Sequence, residues 1–273
     1  MEQLFQYQFF RNALLGVAII SIAAGIIGTY IVTRRLVAIS GGITHACFGG
    51  LGLGYFMGWN PIGTAAVFAI LSSLGVEWMS TRTRVREDSA IAVVWALGMA
   101  VGVLFVFLTP GYVPELNSFL FGNILTISVA DLWTFGIYTI VLIAIISLWF
   151  RRIVLCAFDR DFAIVSGLNV RLVNSVMTIM VAVCIVLTIR LVGIMLLMSM
   201  ITLPQLTAEN FCSRFRPMML SSIIISIVSC ISGLMLATVI NVPCSAIIVI
   251  LQITVYAAAL LIARNTTQHS RRA

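Results

Sequence analysis

NALLGVAIISIAAGIIGTYIVTRR, residues 12–35, decides the fold. No formally charged residue occurs from 12 to 33, and Arg34 and Arg35 close the run. A helix of that length is about 33 Å long at 1.5 Å per residue, enough to cross about 30 Å of hydrocarbon. The arginine pair marks where it meets water. The same unit recurs along the chain, with apolar runs at about 37–57, 61–80, 89–109, 131–150, 172–189, 191–208, 218–240 and 243–263. Arg82, Arg84 and Arg86 follow the third run; Arg151, Arg152, Arg160 and Arg171 lie between the fifth and sixth. Arg214 and Arg216 follow the seventh, and Arg264, Arg271 and Arg272 the last.

Composition agrees with that reading. The 273 residues are 61% hydrophobic and 9% charged, with a mean hydropathy of +1.13, a balance foreign to water-soluble domains. Runs of about twenty residues select helices over barrel strands. The expected fold is an all-α, polytopic integral membrane protein of about nine spanning helices, or eight if 172–208 is one element. All sixteen basic residues are arginine, and fourteen of them fall at one set of helix ends. By the positive-inside rule that set is cytoplasmic, which puts the N-terminus outside and the C-terminus inside. Arg11 and Arg190 are on the outer side, at helix ends from which a guanidinium can reach water.

The same residues exclude several functions. The net charge of +7 follows from topology, so no nucleic-acid partner is expected. Without lysine there is no Walker A phosphate loop, and nucleotide energy must come from a partner. HExxH and GxSxG motifs are absent and the only histidines are His45 and His269, so no metalloprotease or serine-hydrolase chemistry is expected. MEQLFQYQFF lacks the basic start of a cleavable signal. Six cysteines without CxxC spacing read as small apolar residues, not a disulfide or metal framework.

Helix 37–57 carries the most unusual stretch, SGGITHACFGGLGLGYFMG. At four-residue steps Gly42, Ala46, Gly50, Gly54 and Gly58 form a row without bulk, which serves close helix packing or lines a path. His45 lies beside that row at membrane depth, where ionisable groups face a cavity or a partner. Its imidazole suits a passing divalent metal, or equally a hydrogen bond to a neighbouring carbonyl. Cys47 points to another face. Glu77, near Arg82 to Arg86, reads as an ion-pair partner; Glu87, Asp88 and Asp131 read as N-terminal caps.

Between the fifth and sixth runs, Phe158, Phe162 and Val165 recur at helical spacing, Asp159 and Asp161 come early, and Gly167 follows where a C-cap is expected. The pattern predicts a short amphipathic helix on the cytoplasmic face, an interfacial anchor or a docking surface. Pro204 interrupts the seventh run and predicts a kink, with Thr202 and Thr207 near the freed backbone groups. Met195, Met198 and Met200 either line a cavity there or pack.

Three segments together resemble the membrane permease of metal-ion ABC importers, which take up zinc, manganese or iron(II). SGGITHACFGG (40–50) is similar to that family's Asp-x-x-x-His-Ala element, DRDFAIVSGLNVRLVNS (159–175) to its cytoplasmic coupling segment, and RLVGIMLLMSMITLPQLTA (190–208) to a stretch sharing its Val-Gly-Ile start, proline and closing alanine. The resemblance runs from about Arg11 to Ala263. It implies one permease domain over 1–273, with a coupling helix at about 157–168, in the inner or plasma membrane of a prokaryote. It also implies a homodimer driven by a separate ABC ATPase subunit and fed by an extracytoplasmic metal-binding protein. The chain itself would be no enzyme and hold no tightly bound cofactor, its metal being cargo. Asp161, Phe162, Ala163, Ser166 and Gly167 match the coupling segment and His45 the pathway histidine. The family aspartate falls on Gly41 and its glutamate on Asp161. Zinc is the first expectation for the cargo, then manganese or iron. The alternatives are a permease for a metal chelate or vitamin, suited to a path lacking the aspartate, and a carrier that needs no ATPase.

Overall fold

The computed structural model describes residues 6–82, 85–110, 122 and 124–270. Arg84, Arg271, Arg272 and residues 111–121, between the fourth and fifth apolar runs, lie outside them. Every regular element described is helical: α1 (Gln8–Thr33), α2 (Val37–Met57), α3 (Pro61–Arg82), α4 (Glu87–Leu108), a short 3-10 turn (Ile124–Thr126), α5 (Val129–Phe158), α6 (Arg160–Val165), α7 (Val170–Glu209), α8 (Phe215–Ile240) and α9 (Cys244–Ser270). Among the described residues eight of these are long and apolar enough to cross a bilayer.

The distribution of side chains is that of a protein solvated by lipid. Phe107, Leu148 and Trp133 are 87%, 80% and 71% exposed, whereas Thr29, Ser40, Thr44, Gln205 and Ser222 are fully buried. In hydrocarbon the hydroxyl hydrogens must be satisfied within the protein. Thr29 Oγ1 donates to the Gly25 carbonyl at 2.7 Å, Thr44 Oγ1 to Ser40 O at 2.5 Å and Thr139 Oγ1 to Phe135 O at 2.9 Å, each four residues back on its own helix. Asp131 is not a cap by itself. Its Oδ2 accepts from Ser128 N and Oγ at 3.2 and 2.7 Å while its own N–H donates to Ser128 Oγ at 3.2 Å, a capping-box arrangement with Ser128 as the N-cap. Glu87 and Asp88 occupy the first turn of α4, where they complement the helix dipole, and Arg86 holds the cap position.

The apolar pattern places two breaks differently from the structure. α7 is 40 residues, about 60 Å of helix and twice the hydrocarbon thickness. It is interrupted at Gly193 (φ 79°, ψ 170°), not at Arg190. Glycine alone adopts that backbone freely, and dividing α7 there restores the nine apolar runs. Pro204, by contrast, lies inside regular helix. Its missing N–H would strand the Met200 carbonyl, and neither Thr202 nor Thr207 answers it: Gln205 Nε2 donates to Met200 O at 3.3 Å and to Ala24 O at 3.0 Å. Thr207 Oγ1 donates instead to Leu203 O at 2.8 Å.

The chain divides into two compact units, 1–33 with 121–141 and 191–273, and 34–120 with 142–190. In the first, α1 is buried on all sides from Ala23 to Val32. Thr29 Oγ1 and Ser222 Oγ of α8 are 3.3 Å apart, Gln205 of α7 reaches Ala24, and Asn12 Nδ2 donates to Ile127 O at 3.2 Å. Met195 lines a recess of about 560 Å³ together with Ile124, Leu125 and Cys244, while Met200 is fully buried in packing. In the second unit α2 lies between α3 and α4, and this unit contains both motifs singled out for function.

Candidate functional site

The glycines of α2 serve two faces. A methyl group on Gly50 would lie 2.5 Å from the Thr64 carbonyl oxygen and 2.8 Å from Ala65 Cα, and one on Gly54 would lie 2.8 Å from Pro61 Cα, so this side is pressed against α3. On the α4 side a methyl group on Gly42 would meet the Ile91 side chain, and one on Gly98 would meet the Ala46 backbone. Gly58 takes no part in packing: at φ 67° it is the left-handed C-cap of α2, followed by the Trp59 N–H donating to Gly54 O at 2.9 Å.

His45 emerges beside these contacts, half-buried, with its ring stacked on Trp95 of α4: the centroids are 4.6 Å apart and the planes 2° from parallel. Among the described residues neither ring nitrogen makes a hydrogen bond, so the carbonyl-bonded alternative is not adopted. A stacked imidazole is held by its face, which leaves its nitrogens available at the ring edge, where a metal approaches. The turn before it supplies no carboxylate. Gly41 is buried, Ser40 Oγ donates to Val37 O at 2.7 Å and Thr44 Oγ1 to Ser40 O. Among the described residues no group of three or more His, Cys, Asp or Glu converges. The six cysteines are free, and Cys47 is buried away from His45.

The second motif is shorter than the pattern predicts. Phe158 ends α5, and α6 covers only Arg160–Val165. Asp159 is its N-cap, with Oδ1 accepting from Phe162 N at 2.9 Å. Ser166 is the C-cap and Gly167 follows at φ 75°; Gly167 N donates to Ile164 O at 3.0 Å and Leu168 N to Ala163 O at 3.1 Å. Both ends are thus tied, and Ala163 is fully buried as the point of attachment. Asp161 and Ser166 are exposed. Phe162 and Val165, at 56% and 85% exposure, project from this clamped turn.

The turn leads directly into the rest of its unit. Asn169 Oδ1 caps α7 by accepting from Leu172 N at 3.1 Å. One turn on, Asn174 Oδ1 accepts from Arg34 Nη1 at 3.2 Å, and Ser175 Oγ donates to the Glu77 carboxylate at 3.2 and 3.4 Å. Arg34 lies just before α2, and Glu77 is near the end of α3, whose first turns press on α2.

A sequence profile described as the ABC 3 transport family matches residues 6–263, nearly the whole chain. The chain belongs to the ABC 3 transport family. A probable metal transport system membrane protein of Chlamydia pneumoniae is 33% identical over 251 residues, covering 90% of this chain and 86% of the relative. The manganese transport system membrane protein MntC of Listeria monocytogenes is 28% identical over 263 residues, covering 96% and 94%. Among solved structures, PsaBC from Streptococcus pneumoniae in complex with Fab has the same fold, with a TM-score of 0.83 at 22% identity over 94% of this chain and 93% of that one.

Trp95, which stacks on His45 in this ABC 3 chain, is a residue that sequence patterning passes over. Its signal is depth: membrane tryptophans concentrate at interfaces, and this one is eight residues into a 22-residue span. Gln205 carries a comparable signal as an amide one residue after a proline within an apolar run.

Proposed function

We propose that this chain is the membrane permease of an ATP-driven importer of a divalent metal ion, a single permease domain over 1–273 acting as a homodimer. A separate ABC ATPase supplies the energy, and an extracytoplasmic metal-binding protein delivers the ion. The N-terminus is outside and the C-terminus cytoplasmic, in the plasma membrane of a prokaryote. The chain performs no covalent chemistry.

The observation that carries this reading is the clamped turn at 159–167. An exposed Phe162 and Val165 on a backbone tied at both ends, at an arginine-bearing end of the bundle, are what a docking knob requires: apolar area with little ordering left to lose. Closure of the ATPase would press on this turn. The Asn169 cap, the Arg34–Asn174 contact and the Ser175–Glu77 contact all lie in the same unit and support transmission to α2 and α3 as one body.

The ion meets His45. Two protomers bring two imidazoles, a nitrogen set that suits zinc better than manganese, whereas the Listeria relative is named for manganese. With glycine at 41 the remaining ligands are water or groups of the cargo, and the ion is held weakly enough to move on.

Elemental analysis of cells expressing the chain with its ATPase and binding protein tests this. Zinc or manganese is expected to accumulate about tenfold over cells lacking the chain, and His45→Ala at equal protein level to abolish most of that gain, the loss of an imidazole ligand costing a factor of about ten or more. Accumulation of neither metal would remove the metal reading in favour of a chelate or vitamin. A gain indifferent to the substitution would take His45 off the path.

A further inference from the structure

In the second unit, the last turns of α3 and the first turn of α7 enclose a recess of about 190 Å³ lined by Arg82, Arg171, Trp78, Ser175 and Glu77. Both arginines are exposed, and among the described residues neither has an ion-pair or hydrogen-bond partner. Glu77, the one acid on the wall, already accepts from Ser175 Oγ and also borders the neighbouring cavity that Arg34 lines. The recess therefore presents two free guanidinium groups to one engaged carboxylate. Leading away from it along α3, Val67, Leu71, Leu74 and Trp78 share one helical face, and Val67, Leu71 and Trp78 are 59%, 63% and 58% exposed.

We propose that this recess and stripe bind an anionic phospholipid, its phosphodiester between Arg82 and Arg171 and an acyl chain along the Val67 to Trp78 face. Guanidinium groups match phosphate oxygens in geometry and charge, basic pockets between membrane helices recruit anionic headgroups, and Trp78 lies one turn before Arg82 at the end of α3, the part of a span where a tryptophan ring is favoured. A second copy of the chain is a poorer occupant. A two-fold interface centred here would bring four arginines, Arg82 and Arg171 from each copy, onto one contact.

Native mass spectrometry of the full-length chain, released from micelles containing phosphatidylglycerol and phosphatidylcholine with matched acyl chains, tests this. The wild type is expected to retain one phosphatidylglycerol in preference to phosphatidylcholine, and R82Q/R171Q to retain about tenfold less, whereas R151Q/R152Q, of the same net charge, retains it like the wild type. If the double variant fails to fold, R82Q and R171Q singly are each expected to lower retention about threefold. Equal retention of the two lipids by the wild type, or loss of the preference in R151Q/R152Q, would overturn the proposal. So would displacement of the lipid by millimolar inorganic phosphate, which marks a free-phosphate site, or copy-to-copy disulfide cross-linking of L71C, which marks a protein interface.

Discussion

Phe162→Asp is expected to lower recovery of the ATPase with this chain about tenfold or more, because it puts a charge where an exposed aromatic anchor meets its partner. The side chain contributes little to the fold of its own segment. It is 56% exposed, while the turn is held by Ala163 beneath it and by the Asp159 cap before it. The chain's melting temperature should therefore stay at the wild-type value, which separates lost docking from lost folding. Gly167→Val acts on the same contact by another route: at φ 75° a β-branched residue costs about 1–2 kcal/mol and re-aims Val165 and Phe162. Co-purification of the ATPase in wild-type amount with both variants would contradict the docking role of 159–167.

The second large effect is structural. Gly98→Leu should abolish most of the folded chain, a destabilisation of about 3 kcal/mol or more, because the added side chain starts on top of the Ala46 backbone, with a Cβ 2.9 Å from its carbonyl oxygen. On the α2 side there is no room to yield, since α2 is pressed on its other side by Thr64 and Ala65. Gly75→Ala on α3, whose Cβ would meet nothing within 4 Å, is the matched control and should melt with the wild type. A thermal melt in detergent with wild-type yield for Gly98→Leu would show that α2 and α4 do not approach as described.

Much of this architecture is written in runs and charges, for a physical reason. Crossing hydrocarbon demands length and apolarity, and both can be counted: α2 begins and ends where its apolar run does, at 37 and 57. Properties that depend on a partner helix are not so visible. The small residues of α2 are plain in the sequence, but period alone cannot say that Gly50 and Gly54 face α3 while Gly42 and Ala46 face α4. The break in α7 falls at Gly193 and not at the neighbouring charge, because an arginine can snorkel without ending a helix whereas a left-handed backbone needs glycine. Pro204 announces a lost hydrogen bond, yet the replacement by Gln205 depends on where a side chain reaches. His45 was legible as an ionisable group at membrane depth; its stacking on Trp95 required knowing which faces of α2 and α4 meet.

An importer of this kind moves metal only when its ATPase is supplied with ATP. Liposomes containing this chain and its ATPase, with the metal-binding protein and radiolabelled zinc or manganese outside and ATP at the nucleotide-binding face, are predicted to accumulate metal. Omitting ATP or the ATPase should stop uptake. Equal uptake by liposomes holding this chain alone would contradict the importer and identify a self-sufficient carrier instead.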